Sequence, residues 1–480
     1  MEKSTKEFGD LNAAPPPGSR RGSYMAPDGR RYSAQGRRIS TVDDVFGEIK
    51  EGGPNYRDVG WLGTVALMMK TQIGLGVLSI PAVLDTLGMI PGLIVLLAIA
   101  IITTWSDYMV GVFKLRHRSV YGIDDVGMLL FGPIGREFFG VVFVLFWIFV
   151  AGAGMLGISI GLNAVSSHGA CTAIFVAVAC VIGFSLGSIQ TLGAVSWLAW
   201  VGVACILTGI FTVTVAVGLQ DRPSAAPQTG VFVADYKLFN NPSITDALTA
   251  CSSLVFAYAG TPAFFSIVSE MREPAHYTRS LMICQSVVTA TYICIGVVVY
   301  YFCGTYVASP ALGSAGVLLK KIAYGFALPG LCVTTILVTH IAAKYLLLRL
   351  LRGSYHLTDN TFRHWATWLG CTAFISLTAY VIASAIPVFG GLVSLVGALL
   401  GTLMCFQPMG CMWLYDHWSE ARTTKWYLGV AWSAFVILSG TFLMIGGTYG
   451  SVVSIMDSYA TDGGTSAWSC ADNSNSAGPG

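Results

Sequence analysis

Long apolar stretches recur along the chain and are separated by short polar connections. Crossing a bilayer as a helix takes about 20 consecutive apolar residues, and eleven stretches meet that length. The pattern therefore predicts an all-α membrane protein with 11 transmembrane helices. The predicted spans are 61–83, 87–113, 138–162, 171–190, 192–219, 244–270, 280–307, 328–351, 365–384, 388–415 and 426–449.

Two of these stretches are interrupted in the middle by glycine and proline. The first interruption lies at Gly74 and Gly76 and is followed by Pro81, and the second lies at Gly260 and is followed by Pro262. Glycine lowers helix propensity and proline removes a backbone donor. In lipid, such a break persists only where the freed backbone groups line a protein cavity. Paired broken helices are typical of the binding site of a secondary transporter.

The two breaks divide the spans into two groups of five. Repeat one covers 61–219 and repeat two covers 244–415, and each opens with a broken helix. Because five is odd, the second group enters from the opposite side, which makes a 5+5 inverted repeat. Helix eleven, 426–449, is an addition outside that symmetry. The predicted transporter domain covers 58–450 in total.

Composition excludes a soluble globular protein. Hydrophobic residues make up 54% of the chain and charged residues 11%, whereas soluble domains carry about 25% charged residues. The 12 cysteines lie mostly inside apolar stretches, without CxxC or Cys/His spacing. We interpret them as small apolar packing residues and expect no metal and no cofactor.

Both ends of the chain are polar, and basic residues are distributed unevenly between the loops. Residues 1–57 predict a disordered tail rich in Pro, Gly, Ser and basic residues, and 451–480 predict a second disordered tail. Loops on the side of the N-terminus carry eleven Lys/Arg, against four on the other side. This bias predicts a cytoplasmic N-terminus and, with an odd helix count, an extracellular C-terminus.

Two serines of the N-terminal tail follow arginine pairs. Arg20-Arg21 precedes Ser23, and Arg37-Arg38 precedes Ser40. Either serine suits a basophilic kinase. A solvated basic tail beside anionic lipid explains the same pattern equally well.

The breaks carry the chemistry of a zwitterion site. At Gly74 and Gly76, backbone N–H groups at the positive end of a half-helix suit a carboxylate. Freed carbonyls of Phe256, Ala257 and Tyr258 suit an ammonium group. Together they predict binding of an α-amino acid. The aromatic residues at the second break favour a neutral, aromatic substrate side chain; they are Phe256, Tyr258, Phe264 and Phe265. The alternative is that the glycines only permit close helix packing.

Several ionisable residues fall within or at the end of predicted spans, where their burial is costly. Lys70 precedes the first break and Glu270 ends the sixth span, so an ion pair between them would form a lock or gate. Asp107 lies in the second span. His340 suits proton coupling, although a satisfied core histidine is the more common case.

Two hydroxyls of the eighth span share one helix face. Thr335 and Thr339 are spaced i, i+4, and with carbonyls near Gly74 they predict an alkali-cation site, because hard cations prefer oxygen ligands. The alternative is that each threonine bonds back to its own helix.

Residues Lys70 to Pro81 resemble the K-x-x-x-G-x-G-x-L-x-x-P signature of the amino acid/auxin permease family. The resemblance extends over about residues 58–450, and within the family it is strongest to the fungal neutral and aromatic amino acid permeases of the methyltryptophan-resistance type. It implies a fold like that of the bacterial leucine transporter. It also implies proton-driven uptake of neutral aliphatic and aromatic amino acids across the plasma membrane.

The resemblance also implies roles for individual residues. Gly74, Gly76 and Val77 would face the substrate carboxylate. Thr339 matches a threonine that sodium-coupled members use for their ion, but those members carry an asparagine where this chain has Leu67, which favours protons. The substrate amino group would be held by three residues of the second break: Phe256, Ala257 and Tyr258.

Three other functions are consistent with the same sequence. The first is an amino acid sensor of this fold that signals through its tail. The second is a vacuolar amino acid exporter, which only localisation separates from a plasma-membrane importer. The third is a membrane-embedded enzyme using His340, which no further catalytic motif supports. A monomer is expected in each case.

Overall fold

The computed structural model describes residues 23–25, 30–33, 38–43, 47–50, 58–189, 192–223, 225–227, 229–230, 232–357, 361–461 and 468–474. The helices of these ranges form one bundle. They are α1 (Trp61–Gln72), α2 (Ile80–Leu87), α3 (Met89–Arg116), α4 (Ile123–Ser166), α5 (Thr172–Gly187), α6 (Leu192–Leu219), α7 (Ile244–Tyr258), α8 (Thr261–Ser269), α9 (Tyr277–Cys303), α10 (Val317–Leu351), α11 (Phe362–Ala385), α12 (Phe389–Leu395), α13 (Thr402–Cys405), α14 (Gln407–His417) and α15 (Thr424–Thr461).

The predicted all-α membrane architecture is confirmed. Within the described part of the chain, ten spans are long and apolar enough to cross a membrane, and α5 is an eleventh, shorter apolar helix. At 1.5 Å per residue α5 is about 24 Å long, somewhat less than the roughly 30 Å hydrocarbon core. The two broken spans lie in the interior. In an apolar 18-residue stretch of each span, 89% of the residues are buried for α1–α2 and 94% for α7–α8, against 17% for α15.

Three segments predicted to lie outside spans are helical instead. Helix α4 begins at Ile123 and turns sharply at Gly132 (φ 72°) before Pro133. Helix α10 begins at Val317, within the region 308–327 whose sequence predicts a loop with an amphipathic helix, and Pro329 does not end it. Helix α15 continues to Thr461, into the tail predicted as disordered.

The N-terminal segment also differs from the prediction. Between residues 23 and 50 the structure has one antiparallel sheet instead of disorder. The strands are β1 (Ser23–Met25), β2 (Arg30–Ser33), β3 (Arg38–Asp43) and β4 (Gly47–Lys50).

A disulfide fastens the C-terminal segment to the bundle. Cys470 is bonded to Cys171 at the start of α5, so these two cysteines are not the apolar packing residues predicted. We call residues Trp468–Ser474 the strap. Thr172 Oγ1 donates to the carbonyl of Ala471 at 2.6 Å, and Asn163 Nδ2 donates to Asn473 Oδ1 at 2.7 Å. The strap is therefore held to α4 and α5, contrary to the disorder predicted for 451–480.

Candidate functional site

Both predicted breaks are present, and each is followed by a proline in the first turn of the next helix. Helix α1 ends at Gln72, a 3₁₀ turn covers Gly76–Ser79, and α2 begins at Ile80. Helix α7 ends at Tyr258 and α8 begins at Thr261. Proline fits the first turn because its missing N–H would be unpaired there anyway.

The two breaks touch each other through their backbones. A Cβ added to Gly76 would lie 2.3 Å from the Ala257 Cα, far inside van der Waals contact. No larger residue than glycine therefore fits at position 76 without moving α7. Gly76 therefore permits close packing of the two broken helices, and its backbone also lies at the break where a substrate site is predicted.

Four consecutive backbone donors at the first break are without acceptors. Within the described residues, the N–H groups of Gly74, Leu75, Gly76 and Val77 make no hydrogen bond. They precede α2 and lie at the positive end of its dipole. This is the arrangement that binds anions at helix N-termini, and it includes the three residues predicted to face a carboxylate.

The carbonyls of the second break are less free than predicted. The Phe256 carbonyl accepts from the Ala259 N–H at 3.1 Å, and the Tyr258 carbonyl accepts from the Gly260 N–H at 2.8 Å. Each carbonyl oxygen retains a second lone pair. The second break can therefore still accept a hydrogen bond from an ammonium group.

Tyr292 of α9 connects the two breaks, and no local sequence feature indicates this position. Its hydroxyl lies 2.8 Å from the carbonyl oxygen of Ala257 and 2.9 Å from that of Gln72. A phenolic hydroxyl has one proton, so it donates fully to only one of these carbonyls at a time. The ring packs edge-to-face on Tyr258, with centroids 5.0 Å apart.

A small cavity of about 10 Å³ lies between the breaks. Among the described residues that form its wall, none has a charged side chain. The aromatic part comes from Phe146 and Trp147 of α4 together with Phe256, and not from Phe264, Phe265 and Tyr258 as the sequence suggested. The cavity is lined by Thr71, Gln72, Leu75, Gly76, Phe146, Trp147, Val150, Phe256, Ala259 and Thr334.

A much larger cavity opens from one end of the bundle. We call this cavity of about 1030 Å³ the vestibule. It reaches inward to Ser79, the last residue of the 3₁₀ turn at the first break, and to Ser253 of α7. Its wall also includes Asp472 and Asn473 of the strap. The vestibule gives the region of the breaks access to one side of the protein.

The opposite end of the bundle is closed by backbone pairing and ion pairs. Val59, just before α1, pairs with Met271, just after α8. Arg272 N–H donates to the Val59 carbonyl at 2.9 Å, and the Arg272 side chain pairs with Asp58. Further ion pairs at this end are Arg116–Asp416, Arg136–Asp124, Arg136–Asp125, Arg349–Asp124, Arg349–Glu137 and Arg352–Asp125.

The predicted pair of Lys70 and Glu270 is not formed. Glu270 pairs instead with Lys344 of α10, with Nζ to Oε1 at 2.6 Å and both side chains buried. Lys70 Nζ donates to the carbonyl of Ile73 at 3.1 Å. Because Lys70 lies on the half-helix facing α6 and Glu270 lies past the end of α8, the two side chains point to different partners.

The threonines of α10 are arranged differently from the prediction. Thr334, not Thr335 or Thr339, faces the first break, and its Oγ1 would lie 2.9 Å from a Cβ on Gly74. Thr335 bonds back to the Leu331 carbonyl at 3.2 Å and packs on Gly154 of α4. Thr339 packs on α5 at Gly187. The described residues therefore do not bring Thr335 and Thr339 to the first break.

His340 is a fully buried core residue away from both breaks. Its ring packs edge-to-face on Trp368, with centroids 5.4 Å apart, and lies near the backbone of Gly187 and Ile189. Among the described residues neither ring nitrogen has a partner at hydrogen-bonding geometry. The placement matches a packing role better than a role at the site.

Comparisons with known proteins agree with this geometry. A family model described as "Transmembrane amino acid transporter protein" matches residues 57–453. A "Transmembrane transporter" of Gibberella moniliformis is 32% identical over 437 residues, which cover 90% of this chain and 91% of the relative. An "N amino acid transport system protein" of Neurospora crassa is 30% identical over 435 residues, covering 90% of this chain and 92% of the relative.

The fold is similar to that of a solved transporter. The crystal structure of MhsT in complex with L-phenylalanine superposes with a TM-score of 0.53 at 12% identity. The match covers 82% of this chain and 98% of MhsT. At this identity the likeness concerns the fold, which is the leucine-transporter type expected from the sequence.

Proposed function

Because the chain belongs to the transmembrane amino acid transporter protein family, we propose that it imports neutral amino acids, both aliphatic and aromatic, by proton symport across the plasma membrane. The family transports amino acids, so the alternative of a membrane-embedded enzyme is set aside. The finer parts of the proposal rest on the chemistry of the breaks and on the two ends of the bundle.

The free N–H groups beside an uncharged cavity carry the proposal. The donors from Gly74 to Val77 suit a carboxylate, and the remaining lone pairs at Phe256, Ala257 and Tyr258 suit an ammonium group. No charged side chain lines the cavity, so a charged substrate side chain would be buried without a counter-charge, at a cost of several kcal/mol. Neutral side chains avoid that penalty, and Phe146 and Trp147 offer aromatic contact.

Protons are favoured over sodium as the coupled ion. Lys70 Nζ already lies at the first break, where it donates to the Ile73 carbonyl. A sodium ion at this carbonyl would have to displace that donor. Thr335 and Thr339 also lie away from this break. We assign Lys70 to holding the break, Glu270 to the closed end, and Thr335, Thr339 and His340 to packing.

The open vestibule and the closed opposite end support alternating access. The Cys171–Cys470 disulfide lies beside the vestibule, and disulfides persist on the oxidising side of a membrane. The arginine-rich ion pairs lie at the other end, as the positive-inside bias expects for a cytoplasmic face. We therefore propose an outward-facing conformation, with the N-terminus cytoplasmic and the C-terminus extracellular.

The test is uptake of labelled phenylalanine and leucine into cells that express the chain, with external pH and sodium varied independently. We expect uptake that rises at acid pH, ignores sodium and collapses with a protonophore. Glutamate and arginine serve as charged controls and should not compete. Uptake that requires sodium, or competition by arginine, would contradict the proposal.

Ligand binding and surface imaging, measured on the same cells, separate the two alternatives. A sensor at the cell surface would bind phenylalanine without transporting it, and a vacuolar exporter would be absent from the surface when imaged. The sensor would use the N-terminal tail, but the side chains of its candidate kinase sites, Ser23 and Ser40, lie outside the part of the structure whose side chains are described. We propose a monomer as the working unit, to be checked by light scattering.

A further inference from the structure

One acidic side chain of the interior has no role in the site described above. Asp107 of α3 is fully buried. Gln285 Nε2 of α9 donates to its Oδ2 at 2.5 Å. Within the described residues, its other oxygen, Oδ1, has no hydrogen-bond partner and the carboxyl makes no ion pair.

Among the residues that the structure describes, no cationic side chain faces Asp107. Three titratable side chains face it, namely Tyr277 and Cys284 of α9 and Cys405 of α13, and none of them carries a positive charge in any protonation state. Tyr277 donates its hydroxyl to the Asp107 backbone carbonyl at 2.8 Å, so it does not neutralise the carboxyl.

Charged side chains on the helices around α3 are directed elsewhere. On α9, the Arg279 guanidinium stacks over the Trp61 ring at 4.5 Å. On α14, Asp416 pairs with Arg116 at 3.2 Å. On α2, Asp85 lines the vestibule. Within the described part of the chain, a carboxylate at Asp107 would therefore be buried with one hydrogen bond from Gln285 and no counter-charge. Binding one proton removes that charge.

Asp107 is connected to the second break through Thr261. This threonine is the first residue of α8 and follows Gly260 directly. Its side chain lies beside the Asp107 carboxyl and beside Cys405, yet among the described residues its Oγ1 has no partner at hydrogen-bonding geometry. A protonated carboxyl donates a hydrogen bond and an ionised one only accepts. A change of protonation at Asp107 thus changes what Thr261 can bind.

We propose that Asp107 is the residue that carries the coupled proton, and that Thr261 transmits its protonation state to the second break. The inference rests on the proton-symport part of the proposed function. The proton binds one oxygen of the carboxyl while the bundle faces one side of the membrane and leaves it when the bundle faces the other. Because Thr261 opens α8, the charged and neutral forms favour different positions of that half-helix.

The test uses the purified full-length protein in liposomes, with two measurements on the same preparation. Accumulation of labelled phenylalanine is driven by an imposed pH gradient, and exchange of internal for external phenylalanine is followed without a gradient. Asp107→Asn keeps the shape of the protonated carboxyl. We expect it to retain exchange within about threefold while gradient-driven accumulation falls at least about tenfold.

Two further variants control for packing. Asp107→Glu keeps a titratable carboxyl and should retain gradient-driven accumulation. Ser106→Ala changes the neighbouring buried hydroxyl of α3 and should behave like the wild type in both measurements. Wild-type accumulation in Asp107→Asn would overturn the inference alone, whereas a wild-type protein that ignores the gradient would overturn the proton-symport proposal and the inference with it.

A measurement on the wild-type protein covers the case in which Asp107→Asn does not fold. Dicyclohexylcarbodiimide adds covalently to protonated carboxyls in apolar surroundings, and mass spectrometry locates the adduct. We expect labelling at Asp107 that is at least about tenfold greater in acid than in alkaline buffer. Absence of label at Asp107, or label that is the same in both buffers, would overturn the proposal.

Discussion

Gly76 and Ala257 meet backbone to backbone, and a methyl group added at Gly76 would lie 2.3 Å from the Ala257 Cα. The contact joins the break of the first span to the break of the sixth. A movement of one half-helix toward this contact therefore displaces the other half-helix. The free N–H groups of the first break lie on one side of this contact and the carbonyls of the second break on the other. In the proposed function, one small molecule binds to both.

Gly76→Val should abolish amino acid uptake. The added side chain forces α7 away from the first break, which separates the two halves of the site. We expect uptake at least about 100-fold below wild type, measured with labelled phenylalanine and normalised to protein at the cell surface. Gly325→Ala is the matched control, because nothing lies within 4 Å of a Cβ added there. Near-normal uptake by Gly76→Val would show that the backbone at the break does not hold substrate.

Tyr292→Phe should weaken transport while leaving the helix packing intact. The substitution removes the only group that donates to the Ala257 carbonyl among the described residues, and it also withdraws a donor from Gln72. An unpaired buried acceptor costs about 1–3 kcal/mol, which corresponds to a roughly 5- to 150-fold drop in kcat/KM. Tyr258→Phe is the control, since within the described residues its hydroxyl hydrogen-bonds to Thr289, at 3.2 Å, and not to a break carbonyl. Equal effects of the two variants would argue against a bridging role for Tyr292.

Thr334→Val should impair uptake more than Thr339→Val. Thr334 faces the first break and lines the small cavity, whereas Thr339 packs against α5. We expect a loss of about tenfold for Thr334→Val and a change within twofold for Thr339→Val, both measured as initial rates with and without sodium. The opposite order would favour the cation site that the family resemblance places at Thr339.

Exchanging the charges of Glu270 and Lys344 should restore the thermal stability that either single substitution removes. Leaving one member of a buried ion pair uncompensated costs about 3–5 kcal/mol, so Glu270→Gln and Lys344→Met should each lower the melting temperature and favour opening of the ion-paired end. The double variant Glu270→Lys with Lys344→Glu re-forms a pair across α8 and α10. Thermal unfolding in detergent measures the effect, and additive losses in the double variant would show that the two side chains are not coupled.

Cys470→Ser should destabilise the protein by about 2–4 kcal/mol, the usual range for loss of a disulfide. Cys171→Ser and the double variant should show the same loss, because each removes the same bond. Cys294→Ser is the control, as Cys294 is an exposed free cysteine. Thermal unfolding without reductant provides the measurement. A double variant less stable than either single variant would indicate that the cysteines do not act as a pair.

Local sequence determined much of what was predicted correctly. Glycine and proline act through their own backbone chemistry, so the breaks at Gly74–Gly76 and Gly260 were recognisable without knowledge of any neighbour. Helix ends were less predictable. Pro329 lies inside α10 and does not end it, because a proline is tolerated where surrounding helices compensate for the lost hydrogen bond.

Partners between distant segments were not predictable. Glu270 pairs with Lys344 instead of Lys70 because pairing depends on the rotation of each helix about its axis, which hydropathy does not specify. Tyr292 and Trp147 lie in apolar stretches, and no residue near either of them in the sequence indicates that it lies at the breaks. Cys171 and Cys470 are separated by 299 residues, and nothing near either cysteine indicates that they meet.

The position of the strap late in the sequence determines when the vestibule wall is completed during synthesis. Cys470 follows all the membrane spans that the structure describes, and its partner Cys171 precedes α5. The ribosome therefore makes the last part of the vestibule wall only after all the spans have been synthesised. A nascent chain can insert and pack its helices before this wall exists, and closure of the disulfide then marks a finished molecule that secretory quality control can distinguish from an unfinished one.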